Sequence, residues 1–368
     1  MLKVVEVILD LSKRAGAEVF FASLCEQLNS RGDIELSIIS LYDNVDSSFG
    51  SLSNLQNCKF YTVHKHPGID FKAARKLRKI IKMINPDIIH THRSILSTYF
   101  LAFGTKRHKW FNVHTVHSLA EKECNRITYF LRKPFLYKKT LILVGIAPAI
   151  TSSILKLYPK ATVPTILNGI SFKHQITDNV EKAYDFICVA SFRSVKNHKM
   201  LFDVFENVYE QNSSSKLICL GEGPLFETSK EYIDGLKSKP NIYLAGSVQD
   251  VDSYLEKSRT FVLSSLYEGN PISILEAMKH GLPIIAPRVG GIPDIVKDKI
   301  NGLLYPAGHN SKMYDCMIEL LSNTAKYNEI VVNNIRDSQN FSIEICASKY
   351  VELFISLIKT RKERSQLL

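Results

Sequence analysis

Short runs rich in β-branched residues recur along the whole chain, each separated from the next by a longer segment with helical spacing. Strands alternating with helices in this way form βαβ units and a parallel sheet. In the first half the runs are Val4–Leu9, Leu36–Leu41, Asp87–His90, Phe111–Val116 and Leu141–Ile146. In the second they are Asp185–Ala190, Lys216–Leu220, Asn241–Ala245, Thr260–Ser264 and Pro283–Ala286. Five strands per half suffice for one doubly wound α/β domain each, and 368 residues leave room for two. Ligands of such sheets bind beyond the carboxyl ends of the strands, so functional residues are sought there.

Composition places the boundary at Val163–Gly169, which ends in an Asn-Gly turn and leads into the polar stretch Lys173–Lys182. The expected division is an N-terminal domain over 1–168, a second over 169–345, and a helix over 346–368. Apolar Ile345, Tyr350, Leu353, Phe354 and Leu357 line that last pattern, which is expected to pack back across both domains. The absence of a repeat of 20 to 50 residues argues against a solenoid.

Composition excludes several classes. With 45% hydrophobic and 23% charged residues the chain is globular, not disordered. The apolar run Leu141–Ile150 is far short of the roughly 20 residues a membrane-spanning helix needs. Glu6 and Asp10 interrupt the first apolar stretch, so a secretory signal is not expected and the cytoplasm is. Seven scattered cysteines read as reduced core residues. Residues 1–170 hold 24 Lys+Arg against 12 Asp+Glu, a balance of +12; since the whole chain is +11, the remainder is −1. Within Phe71–Lys82, Lys72, Arg75, Lys76, Arg78, Lys79 and Lys82 interleave with apolar residues at helical spacing. Such a helix packs its apolar face inward and offers its cations to solvent or to anionic lipid headgroups. A nucleic-acid reading, prompted by this stretch and Lys106–Lys109, finds no recognised module and is set aside.

The segment with most chemical content follows the run at Thr260–Ser264. Asn270 is expected to cap a helix, Pro271 to suit its first turn and Gly281 to end it. The first N–H groups, around Ile272 and Ser273, then form an anion site suited to a diphosphate. Ile274, Leu275 and Met278 would pack on the sheet, leaving Glu276 on the flank, where a carboxylate can accept two ribose hydroxyls. Glu268 precedes the helix within reach of a second hydroxylated group. The alternative is a capped surface helix with two solvated glutamates. At the exit of an earlier strand, Arg193 and Lys196 stand three residues apart and can both face one diphosphate, unless they are merely solvated loop charges. Gly221 and Gly223 fall in a turn after the next strand.

These residues resemble the retaining glycosyltransferases of family four, of GT-B fold, in which two glutamates separated by seven residues mark the donor site. Glu268 and Glu276 stand at that spacing, and Gly281–Ala286, Gly290–Asp294 and Asn301–Leu304 resemble the elements that follow. The resemblance implies two Rossmann-like domains facing each other across a cleft, with the nucleotide sugar held by the second. It implies that Arg193 and Lys196 contact the donor diphosphate, that Gly221 and Gly223 form the Gly-x-Gly-Pro turn, and that the backbone up to Val248 holds the base. In the first domain it implies close approach at Gly16, where the family's paired glycines are reduced by Ala15, and a histidine near the donor sugar. His117 is the best match and His92 the second. Glu268 is expected to orient the sugar. His198 replaces the commoner glycine.

The resemblance also implies metal-independent catalysis with no cofactor, since fixed cations take the place of a metal. Asp250-Val251-Asp252 has the form of a metal-binding pair elsewhere, yet it reads here as a helix N-cap. The histidines at 90, 92, 114 and 117 are not expected to bind metal, because alternate residues face opposite sides and no carboxylate cluster accompanies them. The form Glu-Gly-Asn-Pro-Ile-Ser resembles enzymes of bacterial surface-polysaccharide assembly. It implies a UDP-linked hexose or N-acetylhexosamine donor and a glycan or lipid-linked saccharide acceptor, with peripheral attachment to the inner face of the cytoplasmic membrane. A sugar-nucleotide epimerase of the same fold is the alternative.

Overall fold

A computed structural model describes residues 1–12, 15–68, 70–93, 110–124, 126–173 and 180–366. Arg14, Lys106–Lys109 and residues 174–179 of the expected linker lie outside them. The chain forms two compact units, one of Met1–Gly169 with Ile343–Leu368 and one of Ile170–Ser342.

The first unit is a six-stranded parallel sheet of β1 (Leu2–Ile8), β2 (Ile34–Ser40), β3 (Lys59–Thr62), β4 (Ile88–His92), β5 (Phe111–Val116) and β6 (Leu141–Gly145), in the order β3-β2-β1-β4-β5-β6. The second repeats that plan with β7 (Tyr184–Val189), β8 (Leu217–Leu220), β9 (Ile242–Gly246), β10 (Ser258–Val262), β11 (Ile284–Pro287) and β12 (Gly302–Tyr305), ordered β12-β11-β10-β7-β8-β9. Each order reverses beside its first strand, between β1 and β4 and between β7 and β10. Connections leave those strand pairs in opposite directions, so a crevice opens at their carboxyl ends.

Six strands per unit, among the described residues, correct the expected five. β3 and β12 are four residues each, and β12 opens on a glycine, so neither carries a run of β-branched residues. The first helix spans Gly16–Asn29, and the Glu18 and Val19 N–H groups bond to the Ala15 carbonyl at its start.

The basic helix spans Phe71–Ile84. Asp70 caps it by accepting from Ala73 N, and Asn85 ends it at φ 49. Ala73, Leu77, Ile80 and Ile81 are buried in the core with Val5, Val7 and Ile89. Lys72, Arg75, Arg78, Lys79 and Lys82 are exposed and Lys76 half-exposed. Phe71 and Met83, at the two ends, are 75% and 65% exposed.

The last helix, Ile343–Gln366, groups with the first unit and buries Ile343, Cys346, Ala347, Tyr350, Val351 and Phe354. Ile345 is exposed, a correction to the apolar face expected of it: the buried rows fall at 343, 346–347, 350–351 and 354, and 345 lies off that stripe. Among the described residues, no helix is long and apolar enough to cross a membrane.

Candidate active site

The second unit gathers its candidates at the β7/β10 switch point. β7 ends at Val189, and the exit passes through Arg193 and a short helical turn at Ser194–Lys196. The loop after β10 is laced to that exit. Leu266 N donates to Val195 O at 2.8 Å, and Ser264 Oγ donates to Lys196 O at 2.9 Å. Lys196 Nζ thereby lies 2.5 Å from Glu268 Oε1, which also accepts from Ser265 Oγ at 2.6 Å. Glu268 is 7% exposed, so this ion pair is largely withdrawn from water and removal of either partner would strand a charge. Among the described residues no group bonds Glu268 Oε2, which keeps acceptor capacity for a hydroxyl.

A glycine turn after β11 clamps the Glu268 backbone. Gly291 N donates to Glu268 O at 3.2 Å, while Gly290, at φ +54, approaches so closely that a Cβ there would stand 1.7 Å from the same oxygen. The helix Ile272–Lys279 begins beside Glu268, with Pro271 rather than Asn270 in the cap position and no side-chain cap bond. This corrects the expected Asn270 cap. Pro271 holds an extended conformation (φ −71°, ψ 113°), which places Asn270 one residue too early, and Asn270 is itself buried. The first-turn N–H groups at Ile272 and Ser273 have no intrahelical acceptor and carry the positive end of the dipole. Ile274, Leu275, Ala277 and Met278 are buried, whereas Ser273 and Glu276, one turn apart on the same flank, are half-buried.

The turn after β8 packs onto the β7 exit. A Cβ on Gly221 would lie 2.3 Å from Ala190 O, and one on Gly223 2.5 Å from Phe192 O, so neither position admits a side chain. Gly221 N donates to Gly246 O at 2.7 Å, tying in the end of β9, and half-buried Val248 follows in the next loop. Arg193 is exposed. Arg193, Lys196, Gly221, Gly223, Glu268, Pro271, Ile272, Ser273 and Glu276 thus share the carboxyl edge of β7, β8 and β10. Asp250 accepts from Ser253 N as the N-cap of the helix Val251–Glu256. Asp252 bonds Lys279 and His280, each at 2.6 Å.

In the first unit, Gly16 opens its helix exposed to solvent, and a polar network lies buried at the β1/β4 switch point. Glu6 on β1 faces His90 Nδ1 at 2.9 Å and His92 Nε2 at 3.0 Å, all three wholly buried. His92 Nδ1 lies 3.1 Å from His117 Nε2, just beyond β5. His90 Nε2 lies 2.8 Å from Thr115 Oγ1, itself 2.8 Å from the Tyr350 hydroxyl of the last helix. The remaining histidine, His114, faces the other side with Thr91. Burial pushes the Glu6 carboxyl up, but His90 and His92 outweigh it and hold the group at about 2. Burial, then the neighbouring His90, lowers His92 to about 4. Burial, then His92, pushes His117 well below the usual histidine range.

Glu6 is a carboxylate partner of these histidines that sequence reasoning missed. Its partners are 84 and 86 residues away, joined to it by the β1/β4 register, in which Glu6 pairs with His90 and Ile8 with His92. The available signal was a glutamate inside an apolar strand, which requires a buried partner. Glu6, His90 and His92 place ligand atoms within 4.8 Å of one another, the geometry of a potential metal site. The contacts of 2.9 and 3.0 Å are hydrogen-bond lengths, and His90's other nitrogen is engaged by Thr115.

Comparison with known proteins agrees with this geometry. The sequence model of Glycosyltransferase Family 4 matches residues 14–172, and that of Glycosyl transferases group 1 matches 170–337. The N-acetyl-alpha-D-glucosaminyl L-malate synthase of Bacillus anthracis is 26% identical over 325 residues, 82% of this chain and 83% of that protein. The UDP-Gal:alpha-D-GlcNAc-diphosphoundecaprenol alpha-1,3-galactosyltransferase of Escherichia coli is 25% identical over 312 residues, 78% and 80% of the two chains. In fold, the chain is similar to Anabaena Alr3699/HepE, solved in complex with UDP and glucose (TM-score 0.81, 15% identity, 97% of this chain and 100% of that one). It is equally similar to the sucrose-phosphate synthase of Thermosynechococcus elongatus (TM-score 0.82, 16% identity, 98% and 100%). Two Rossmann-like units, each matched by its own family model, show that the chain belongs to the family-four glycosyltransferases of GT-B fold.

Proposed function

We propose that the protein transfers a sugar from a UDP-linked hexose or N-acetylhexosamine to a glycan or lipid-linked saccharide, with retention at the anomeric carbon, in surface-polysaccharide synthesis. The observation that carries this reading is the Lys196–Glu268 pair, locked across the β7/β10 switch point beside the open first turn of Ile272–Lys279. As the bond to the leaving diphosphate breaks, negative charge grows on its oxygens. Lys196, Arg193 and the N–H groups of Ile272 and Ser273 offer fixed positive charge there, so the stabilisation is larger in the transition state than in the bound donor. Glu276 takes the ribose hydroxyls and Glu268 Oε2 orients the sugar. These groups supply the charge with no metal ion or cofactor. A relative named for UDP-galactose and a diphosphoundecaprenol acceptor, and a structural neighbour solved with UDP and glucose, support the donor and acceptor classes.

The basic face of Phe71–Ile84 fits the same reading. Its exposed cations stand between two exposed apolar side chains, Phe71 and Met83, an arrangement suited to anionic headgroups at the inner face of a membrane that carries the acceptor. No such feature favours an epimerase or a nucleic-acid partner.

The test is a thermal-shift panel of nucleotide sugars, since a ligand bound only by the folded state raises apparent stability. Stabilisation by UDP-sugars, followed by sugar transfer when acceptor is added, is expected. Nucleotide-sugar turnover with no acceptor would replace the reading with an epimerase, and no response to any nucleotide sugar would overturn it.

A further inference from the structure

Ser273, Glu276 and His280 follow one another at spacings of three and four residues, so they form one row along the flank of the helix Ile272–Lys279 and its cap. The open first turn lies at one end of that row. At the other end a single carboxylate holds the helix: Asp252 Oδ1 accepts from Lys279 Nζ and from His280 Nε2, each at 2.6 Å. The Lys279 and His280 side chains are 4% and 1% exposed, and Asp252 is half-buried. Burial pushes the Asp252 carboxyl up, but His280 and Lys279 outweigh it and hold the group below the usual carboxylate range. Asp252 is therefore an ionised acceptor, and His280 carries a proton on Nε2.

Asp252 stands in the first turn of the helix Val251–Glu256, directly after the loop that leaves β9. Gly221 fixes the start of that loop through its N–H to Gly246 O at 2.7 Å, and Asp250 fixes the end by capping the helix at Ser253 N. The two bonds of Asp252 join this loop to the flank of Ile272–Lys279, all within the second unit. A buried ion pair contributes little net stability against an apolar pair of the same shape, and its better attested effect is to fix the register of the elements it joins.

We propose that Asp252 is a positioning residue for the nucleoside of the donor: through Lys279 and His280 it sets the separation between the loop after β9, which meets the base, and the Glu276 carboxylate, which meets the ribose. This role rests on the donor reading given above. Base and ribose are joined by one covalent bond, so their two contacts form together only when loop and carboxylate stand at the matching distance. With the tie removed, the base keeps its contact and Glu276 loses the register that lets it reach the ribose.

The test is calorimetric titration of UDP into the full chain. Asp252→Ala alone would leave Lys279 buried without its counter-charge, so Asp252→Ala with Lys279→Met is the main variant, which removes the tie and strands no charge. Should circular dichroism show it unfolded, Asp252→Asn, which keeps the shape and loses the charge, takes its place. UDP should bind the variant roughly three- to tenfold more weakly than wild type. The same change should cost less than about twofold when Glu276→Ala is already present, because a residue that acts through Glu276 then has nothing left to position. In turnover the donor KM should rise with kcat unchanged, as for contacts shared equally by bound donor and transition state. Unchanged UDP affinity in the folded variant, the same loss with and without Glu276, or a fall in kcat at constant KM would overturn the positioning role. Wild type that binds no UDP would instead remove the donor reading, and this role with it.

Discussion

Gly290→Ala tests whether the placement of Glu268 controls catalysis. The added Cβ would stand 1.7 Å from the Glu268 carbonyl oxygen, so the turn or the Glu268 backbone must move by about 1.7 Å to reach 3.4 Å, the near limit of ordinary contact. The same backbone carries the carboxylate that holds Lys196, and a misplacement of about 1 Å at a reacting centre costs roughly a hundredfold in rate. The left-handed conformation at φ +54 adds roughly 1–2 kcal/mol for any residue with a Cβ. Gly308→Ala is the control: its φ is +76, yet nothing lies within 4 Å of the added atom, so it bears the conformational cost alone. Both variants should melt a few degrees lower by circular dichroism, at roughly 2–4 °C per kcal/mol for a domain of this size. In an assay of UDP release from donor and acceptor, Gly290→Ala should lose roughly a hundredfold in kcat/KM and Gly308→Ala little. Equal activity in the two variants would refute the argument.

Arg193→Ala and Lys196→Ala should lower kcat more than they raise the donor KM, since leaving-group charge is largest in the transition state; full activity in both, while folded, would place the diphosphate elsewhere. Turnover should survive EDTA, and activity lost to chelation and restored by magnesium or manganese would contradict the fixed-cation account. The protein should cosediment with anionic vesicles at low salt and be released by high salt, and changing Arg75, Lys76, Lys79 and Lys82 to Glu should abolish this with donor binding intact; equal sedimentation of both proteins would remove the membrane reading. Stability of the first unit should fall with acid. His92 and Glu6 both have folded-state values below their unfolded ones, from 6.5 to about 4 and from 4.5 to about 2, so the unfolded chain binds more protons throughout the window. Stability is complete above about 6.5 and lost as pH drops through 4 toward 2; denaturant melts that do not shift over this range would contradict the buried network.

What could be read from the sequence depended on how local the determinants are. The donor-side elements are local: Glu268, Pro271, Ser273 and Glu276 lie within nine residues, and the half-buried flank of Ser273 and Glu276 follows directly from helical spacing. The Asn270 cap failed because proline's extended geometry moved the helix start by one residue, a boundary effect that composition does not resolve. β3 and β12 were missed because Lys59–Thr62 and Gly302–Tyr305 are too short to show a period, although each pairs in register with a neighbour. Glu6 is the clearest case of long-range information. In the sequence it is a charge that breaks an apolar run, and only the β1/β4 pairing reveals it as the partner of His90 and His92. The Lys196–Glu268 pair, 72 residues apart, was likewise visible as two separate motifs and not as one ion pair.

The central claim, that the carboxyl edge of β7, β8 and β10 holds a nucleotide sugar, is tested most directly by calorimetric titration of UDP-sugars into wild type and Glu276→Ala. The account predicts saturable one-site binding to the wild type and a loss of roughly 1–3 kcal/mol in the variant, whose missing carboxylate leaves ribose hydroxyls unpaired. Identical affinities for the two proteins would contradict it.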